Sequence, residues 1–407
     1  MNIDVLVVGG GLVGTTLAAA LGRAGFTVAL VEARETPPLP EHGFDLRVSA
    51  VTLASRRVFA SLGVWEGLPA ERVQAFRRMV VWDQPERGEV TFDSAEVGEP
   101  ALGYIVENLL LQQALDLRLR GLESVDVYCP ENLESLSVGE SRVTAQVGGD
   151  RLSARLVVGA DGTRSRVREL AGIDAHKSAY GQRAVVATVT SAKSHQETAW
   201  QRFLPNGPLA FLPLPRNQSS IVWTTTPTHA RALETMSDRD FGRALEAAYE
   251  GRLGTVDPAG PRGAFELSSL HAKHYVAERI ALVGDAAHTV HPLAGQGVNL
   301  GILDAAALSE VLCAAQAHDR DPGRLHTLRK YERWRKGHNL LMREILGGFN
   351  WLFGAGFAPL RQARNAGLRV TDQLPPLKRW FMAQASGIAG DLPPLARPMP
   401  AEQAADT

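Results

Sequence analysis

Cysteine is nearly missing from this sequence of 407 residues: only Cys129 and Cys313 occur, far apart and outside any CxxC pattern. That excludes a disulfide framework and a cysteine-based zinc site, and it fits a reducing compartment. Net charge is lacking too, at -1. No basic run carries interleaved aromatics, so the footprint of a nucleic-acid binder is absent and no nucleic acid partner is expected. The absence of repeats and low-complexity tracts excludes solenoids and fibrous arrays. The opening residues MNIDVLVVGG hold an acidic residue and too brief an apolar run for a signal peptide, and no later segment reads as membrane-spanning. The expectation is a cytoplasmic protein. With 45% hydrophobic and 21% charged residues, the composition is that of an ordinary globular chain. There is enough material for a large core and about two domains.

The densest stretch is Ala281 to Asp304, ALVGDAAHTVHPLAGQGVNLGILD. Ile280 to Val283 reads as a buried strand that stops at Gly284-Asp285, and a helical apolar pattern resumes from Gly297. A helix N-terminus therefore faces a strand end. Its unpaired N–H groups and dipole favour electron-rich atoms, and Asp285 beside it can accept hydroxyl protons. The pair His288 and His291 suggests a metal, but no third ligand is evident and no metal is expected.

The amino terminus has the same logic. Ile3 to Val8 reads as a buried strand, followed by GGGLVG and a helix over Thr15 to Arg23. Gly9, Gly11 and Gly14 satisfy GxGxxG, with Leu12 and Val13 between the last two glycines, and a second strand over Val28 to Val31 ends in Glu32. In that order these residues make a dinucleotide site: glycines for the turn and the pyrophosphate, a carboxylate for the ribose hydroxyls. Glu32 would repel a 2′-phosphate, which points to FAD or NAD rather than NADP at this site. Asp45 to Ala50 leads toward a helix through Arg57 and Leu62. Arg47 before it suits a phosphate or a flat ring, or is a solvated surface Arg.

Strands follow over Met79 to Trp82, Val90 to Phe92 and Tyr104 to Val106, then a helix over Asn108 to Leu119. Val143 to Val147 and Leu152 to Val158 flank a hairpin turn, and the second of these ends in Gly159-Ala160-Asp161-Gly162. Asp161 is a candidate ligand contact, or a helix cap. Val185 to Val189, Trp200 to Leu204, Leu209 to Leu214 and Ser220 to Thr225 alternate with turns and predict an antiparallel sheet, and Thr228 to Tyr249 reads as one helix. Toward the C-terminus, Trp351, Phe353, Phe357, Trp380 and Phe381 lie among basic residues, a mixture that suits a membrane surface or partner, or plain helix packing.

GGGLVG with Glu32, then GADGTRSRVR, then LVGDAAHTVHPLAGQGVN together resemble the class A flavoprotein aromatic hydroxylases, the para-hydroxybenzoate hydroxylase-like monooxygenases. LRVSA, LGVW, GYIVEN and GDAAHTVHPLAGQGVNLG narrow the resemblance to the ubiquinone-biosynthesis hydroxylases. The fold implied is α/β: a Rossmann-like FAD-binding domain of the GR2 type over 1–75, 101–180 and 265–345. Inserted into it is a mainly antiparallel sheet for the substrate over 76–100 and 181–264, with C-terminal helices and tail over 346–407. FAD contacts implied are Gly9, Gly11, Leu12, Val13, Gly14, Glu32, Arg47, Asn108, Asp161, Asp285, His288, Gly295, Gln296, Gly297, Val298 and Asn299. Asn108 stands where many relatives carry Gln or Arg.

His291 and Pro292 are the substrate-side candidates. No side chain is singled out as catalytic, because the resemblance places the chemistry on the flavin C4a position. NAD(P)H is a transient reductant and molecular oxygen a co-substrate. The implied activity is ring hydroxylation of a polyprenylated phenol or quinol. GIAGDLPPL, VWDQ and VTFDSA lean to the C5 position, slightly over the C6 position suggested by GYIVENLLLQQAL and WQRFLPNGP. The alternatives are a same-fold hydroxylase or epoxidase for another apolar substrate, and a non-catalytic FAD-binding scaffold. Other ubiquinone-biosynthesis proteins and a peripheral membrane contact are the expected partners.

Overall fold

A computed structural model describes residues 3–83, 88–290, 297–354 and 372–398. The first motif folds as its pattern requires: β1 (Ile3–Val8) is buried, α1 (Leu12–Arg23) returns over it, and β2 (Val28–Val31) pairs with β1 in parallel. β3 (Val48–Thr52) and α2 (Leu53–Ser61) come next. Arg47 therefore precedes a strand rather than the expected helix. The β-branched residues of VSAVT extend the chain, and Thr52 then caps α2 by accepting from the Ser55 N–H. β4 (Gln74–Phe76), β5 (Arg78–Trp82), β6 (Glu89–Asp93), β7 (Gly103–Glu107) and α3 (Asn108–Arg120) continue the chain. β8 (Val125–Tyr128) and β9 (Leu133–Val138) were not anticipated; β8 is short and only half-buried and β9 is mostly exposed, so neither shows a buried-strand pattern. β10 (Val143–Val147) and β11 (Asp150–Gly159) form the predicted hairpin, and α4 (Arg166–Leu170) follows.

The second sheet begins with β12 (Ala175–Ser191) and runs through β13 (Thr198–Leu204), β14 (Gly207–Leu214) and β15 (Gln218–Thr225). The single helix expected next is two, α5 (Pro227–Thr235) and α6 (Asp238–Ala248). Ser237 breaks it: its hydroxyl accepts from the Asp240 N–H and restarts the helix. β16 (Val256–Ala272), β17 (Val276–Ala277), β18 (Ile280–Leu282), β19 (His288–Thr289), α7 (Gly297–Gln316), α8 (Leu325–Gly354) and α9 (Pro375–Ala385) complete the described chain.

The nucleotide-type sheet has the order β17-β18-β11-β1-β2-β8, with β10 and β9 added beside β11. A second sheet has the order β19-β16-β12-β15-β14-β13-β5-β6 and is antiparallel except where β13 meets β5. β3, β7 and β4 make a small third sheet. The expected boundaries at 180/181 and 264/265 fall inside β12 and β16, two strands that run unbroken from one body to the other. α7 corrects one reading from sequence: its 20 residues include an 18-residue window with a mean hydropathy of 1.5, enough in length and composition to span a bilayer. Instead it packs against α1, α2 and α8, and 78% of that window is buried. Its apolarity is that of a core helix.

Candidate functional site

The glycine turn after β1 is shaped by contacts that leave no room for a side chain. A Cβ on Gly9, whose φ is +104°, would lie 2.4 Å from the Ala160 carbonyl oxygen, and one on Gly14 would lie 1.8 Å from the Gly9 oxygen. Gly11 is different: a Cβ there meets nothing within 4 Å, so the turn opens outward at that point. Gly11 caps α1 without a side-chain acceptor, and the first turn holds no acid. Among the described residues no side chain caps the first amides of α1, the arrangement that suits a pyrophosphate. Glu32 sits at the end of β2, where its carboxylate accepts from the Gly10 N–H at 2.6 Å and the Arg34 N–H at 3.0 Å. Gln112 on α3, unnoticed in sequence, donates to the Gly10 oxygen at 2.8 Å and ties that helix to the turn.

The second motif abuts the first through Ala160 and Gly9. One oxygen of Asp161 accepts from the Arg166 and Val167 N–H groups at 2.6 and 3.0 Å, so it supports the start of α4; its other oxygen is buried without a partner among the described residues. The cap role and an orphan acceptor coexist. Arg168 is buried and joins the second and third motifs, donating to the Thr163 and Ala286 carbonyls, each at 2.8 Å.

In the third motif, Gly284 turns the chain at φ +58°, and Asp285 follows it into the crevice. Asp285 is reached by solvent yet ringed by protein, as a carboxylate at the bottom of a cleft must be. That crowding raises its pKa against the pull of His288 and Arg47. Arg47 is exposed across the same opening, its guanidinium 5.7 Å from the ring centroid of Phe265, itself 41% exposed. A flat cation and a flat ring border the space. Glu107, 0% exposed, sets this edge: it accepts from the Asp45 N–H at 2.6 Å and receives two bonds from Arg72.

Several of the residues expected at the cofactor also make contacts within the protein. The Val13 side chain wedges between Gly284 and Gly301, where a Cβ on either glycine would meet it at 3.3 or 2.6 Å. Asn299 is buried and pins α7 to β3, accepting from the Thr52 N–H at 3.0 Å and donating to the Ala50 oxygen at 2.8 Å. Asn108 accepts from the Ser49 hydroxyl at 2.6 Å. Gly297 and Val298 open α7, and a Cβ on Gly297 meets nothing within 4 Å. His291, Pro292, Gly295 and Gln296 lie outside the described residues. Among the described residues no cluster of ligands could hold a metal.

His288, expected at the cofactor, has its ring in a buried network. Its Nε2 is 2.5 Å from Asp304, and its ring stacks on Tyr275. Asp304, 0% exposed, also accepts from Arg335 Nε at 2.8 Å, Asn339 at 3.0 Å and the Gly284 N–H at 3.2 Å. Burial alone would raise its pKa; His288 and Arg335 overcome that and hold it well below the carboxylate range. This network buttresses the Gly284 turn from behind. Its one signal in sequence is a carboxylate set between Leu303 and Ala305 in the apolar part of α7.

The crevice fits FAD: α1 begins without a side-chain cap, Glu32 would hold the ribose, and Asp285 and Arg47 would meet the ring end. FAD, when bound, supplies the redox and oxygen-activating chemistry. The residues described would bind it and orient it.

Comparisons with known proteins agree. Residues 2–342 match the FAD binding domain family. The chain is 42% identical to a ubiquinone hydroxylase, UbiL, of Rhodospirillum rubrum over 94% of this chain and 89% of that protein. It is 38% identical to the 3-demethoxyubiquinol 3-hydroxylase of Escherichia coli over 95% and 98%. In fold it is similar to p-nitrophenol 4-monooxygenase from Pseudomonas putida, with a TM-score of 0.76 at 20% identity, covering 94% and 97% of the two chains. The open dinucleotide cradle and these full-length relatives converge: the chain belongs to the ubiquinone-biosynthesis family of FAD-dependent hydroxylases and is a flavoprotein monooxygenase.

Proposed function

We propose that the protein hydroxylates the ring of a polyprenylated phenol or quinol in ubiquinone biosynthesis, taking electrons from NAD(P)H and oxygen from O2. The observation that carries this reading is the 42% identity over 94% of the chain to a protein named a ubiquinone hydroxylase. Between the second sheet and β3, β7 and α9, Phe76, Leu102, Leu212 and Leu214 pack into an apolar cluster, with Met79, Phe92, Ala210 and Val222 partly buried against it.

The lean toward C5 read from sequence has no support among the relatives. The Escherichia coli relative is named a 3-demethoxyubiquinol 3-hydroxylase, so we adopt the C6-type position that sequence ranked second. Quinone profiling by mass spectrometry in a deletion strain tests it. Accumulation of a demethoxy-type intermediate, cleared by restoring the gene, is expected; normal ubiquinone would overturn the reading, and a prenylphenol lacking the C5 oxygen would return the position to C5. A scaffold would show no substrate-stimulated NAD(P)H oxidation. The prenyl tail partitions into bilayers, and Leu374, Leu377 and Trp380 stand exposed on and beside α9 next to exposed Arg379. These support a peripheral contact with the cytoplasmic membrane surface and its pathway proteins, which cosedimentation with lipid vesicles would test.

A further inference from the structure

The ring end of the crevice is bordered by a short segment, Gly43 to Arg47, that leaves the FAD-binding body and meets the second sheet. Leu46 reaches β16, where a Cβ added to Gly263 would lie 2.7 Å from the Leu46 Cδ2. Phe265 stands two residues along the same strand, and so on the same face. The Arg47 guanidinium lies 5.7 Å from its ring centroid. The charge of Arg47 also acts on Asp285, where it opposes the effect of burial on that carboxylate. One segment thus touches both bodies and carries the cation at the ring end.

What holds the segment is an ion pair. Glu107, at the end of β7, is 0% exposed. Arg72 donates to both of its oxygens as a fork, Nε at 2.8 Å and Nη2 at 2.7 Å. The same Nη2 donates to the Gly43 carbonyl at 3.1 Å, and the guanidinium lies 5.3 Å from the Phe44 ring centroid. Glu107 in turn accepts from the Asp45 N–H at 2.6 Å. At the far end the Arg47 carbonyl accepts from the Asn108 N–H at 2.9 Å. Gly43, Phe44, Asp45 and Arg47 are each fixed to Arg72 or to the junction of β7 and α3.

Local structure does not account for this pair. Glu107 stands at the N-cap of α3 yet forms no side-chain cap there; its carboxylate is turned across to the segment instead. A buried ion pair is also a poor source of stability, since apolar residues of similar volume often serve a fold as well or better. What a guanidinium fork on a carboxylate does supply is one fixed geometry.

We propose that Arg72 and Glu107 are positioning residues for the flavin site: they fix Gly43 to Arg47 in one place, and so hold the Arg47 guanidinium at the ring end of the FAD crevice. Both act through Arg47. A cation held there favours the reduced, more negative ring over the oxidised one, so its placement bears on the reduction potential of bound FAD as well as on its affinity. The inference rests on the flavoprotein assignment and on neither the substrate nor the ring position hydroxylated.

The test reads FAD rather than turnover. Equilibrium dialysis gives its affinity, and photoreduction against a reference dye gives the reduction potential of the holoenzyme. Glu107→Gln keeps the shape of the side chain and leaves Arg72 without its counter-charge. It should weaken FAD binding about tenfold, the order of one hydrogen bond to a charged group, and lower the potential. Arg72→Lys keeps the charge and loses the fork; it should act in the same direction to a smaller degree, and it carries the test if Glu107→Gln does not fold. Arg47→Met sets the limit of both effects. Adding Glu107→Gln or Arg72→Lys to Arg47→Met should move neither reading further, because residues that act through a third have no effect once it is gone. Losses that add in the double variants would show that the pair only supports the fold, and a parent-like potential in both single variants would show that it does not place Arg47. Either result overturns the proposal.

Discussion

Asp304→Asn keeps the size of the side chain and removes its charge, which makes it the sharpest probe of the buttress behind the FAD crevice. In the parent, one carboxylate accepts from His288, Arg335, Asn339 and the Gly284 N–H, all sealed from solvent. Asparagine can accept on its oxygen only and turns an NH2 toward a donor. Arg335, 3% exposed, is left without its counter-charge. Removing one partner of a buried ion pair costs about 3–5 kcal/mol, and the loss should appear as a lower urea midpoint by circular dichroism. Flavin fluorescence should report earlier release of FAD, because the Gly284 amide has lost an acceptor.

The pH dependence carries its own sign. The folded pKa of Asp304 lies below the ordinary value of 3.8, so its contribution is fully present above that value and is lost as pH falls through the depressed one. The gap between parent and variant should therefore hold from neutral pH to about pH 5 and narrow in stronger acid. Asp304→Asn combined with Arg335→Met should recover part of the loss, since no unpaired charge remains. A loss below about 1 kcal/mol with FAD retained would refute the reasoning.

Asp285→Asn should behave in the opposite way. Its raised folded pKa means that the ionised form strains the flavin-free fold, with stability greatest at low pH and lost as pH rises through the raised value. The variant should thus be no less stable than the parent at neutral pH without FAD, yet bind FAD about 10- to 100-fold more weakly, the worth of a hydrogen bond to a charged group; equilibrium dialysis against FAD decides it, and unchanged affinity would remove Asp285 from the site. The glycines of the first turn divide similarly. Gly14→Ala drives a Cβ to 1.8 Å from the Gly9 oxygen and should give misfolded protein, whereas Gly11→Ala, with nothing within 4 Å, should fold normally by thermal denaturation and lose FAD.

Much of this was legible because it is local. Gly9, Gly11, Gly14 and Glu32 lie within one strand-turn-helix-strand unit, and the backbone conformations they need are written in residue type. The hairpin over Val143 to Gly159 and the strands on either side of Pro205 to Pro208 declared themselves through alternation and turn chemistry. The site was less legible. Val13, His288 and Asn299 sit in motifs that mark the cofactor, yet their side chains hold the motifs together, packing on Gly301, bonding Asp304 and pinning Ala50. Asp161 shows both roles at once. A motif reports that residues gather near a ligand; it does not report which face of each one meets it.

By itself, then, the order of residues determined the nucleotide-binding half: its strands, its glycine turns and the carboxylate at the end of β2. Those follow from backbone geometry over short spans, where each residue restricts its neighbours directly. Only the tertiary structure decided that Glu107 and Arg72 hold the segment before Arg47, that Asp304 neutralises groups from β19 and α8, and that Arg47 faces Phe265 across an opening. These are matters of strand register and helix packing between segments tens to hundreds of residues apart. Burial then supplies the energy scale, since removing water makes each pairing, and each unpaired atom, weigh far more than it would at the surface.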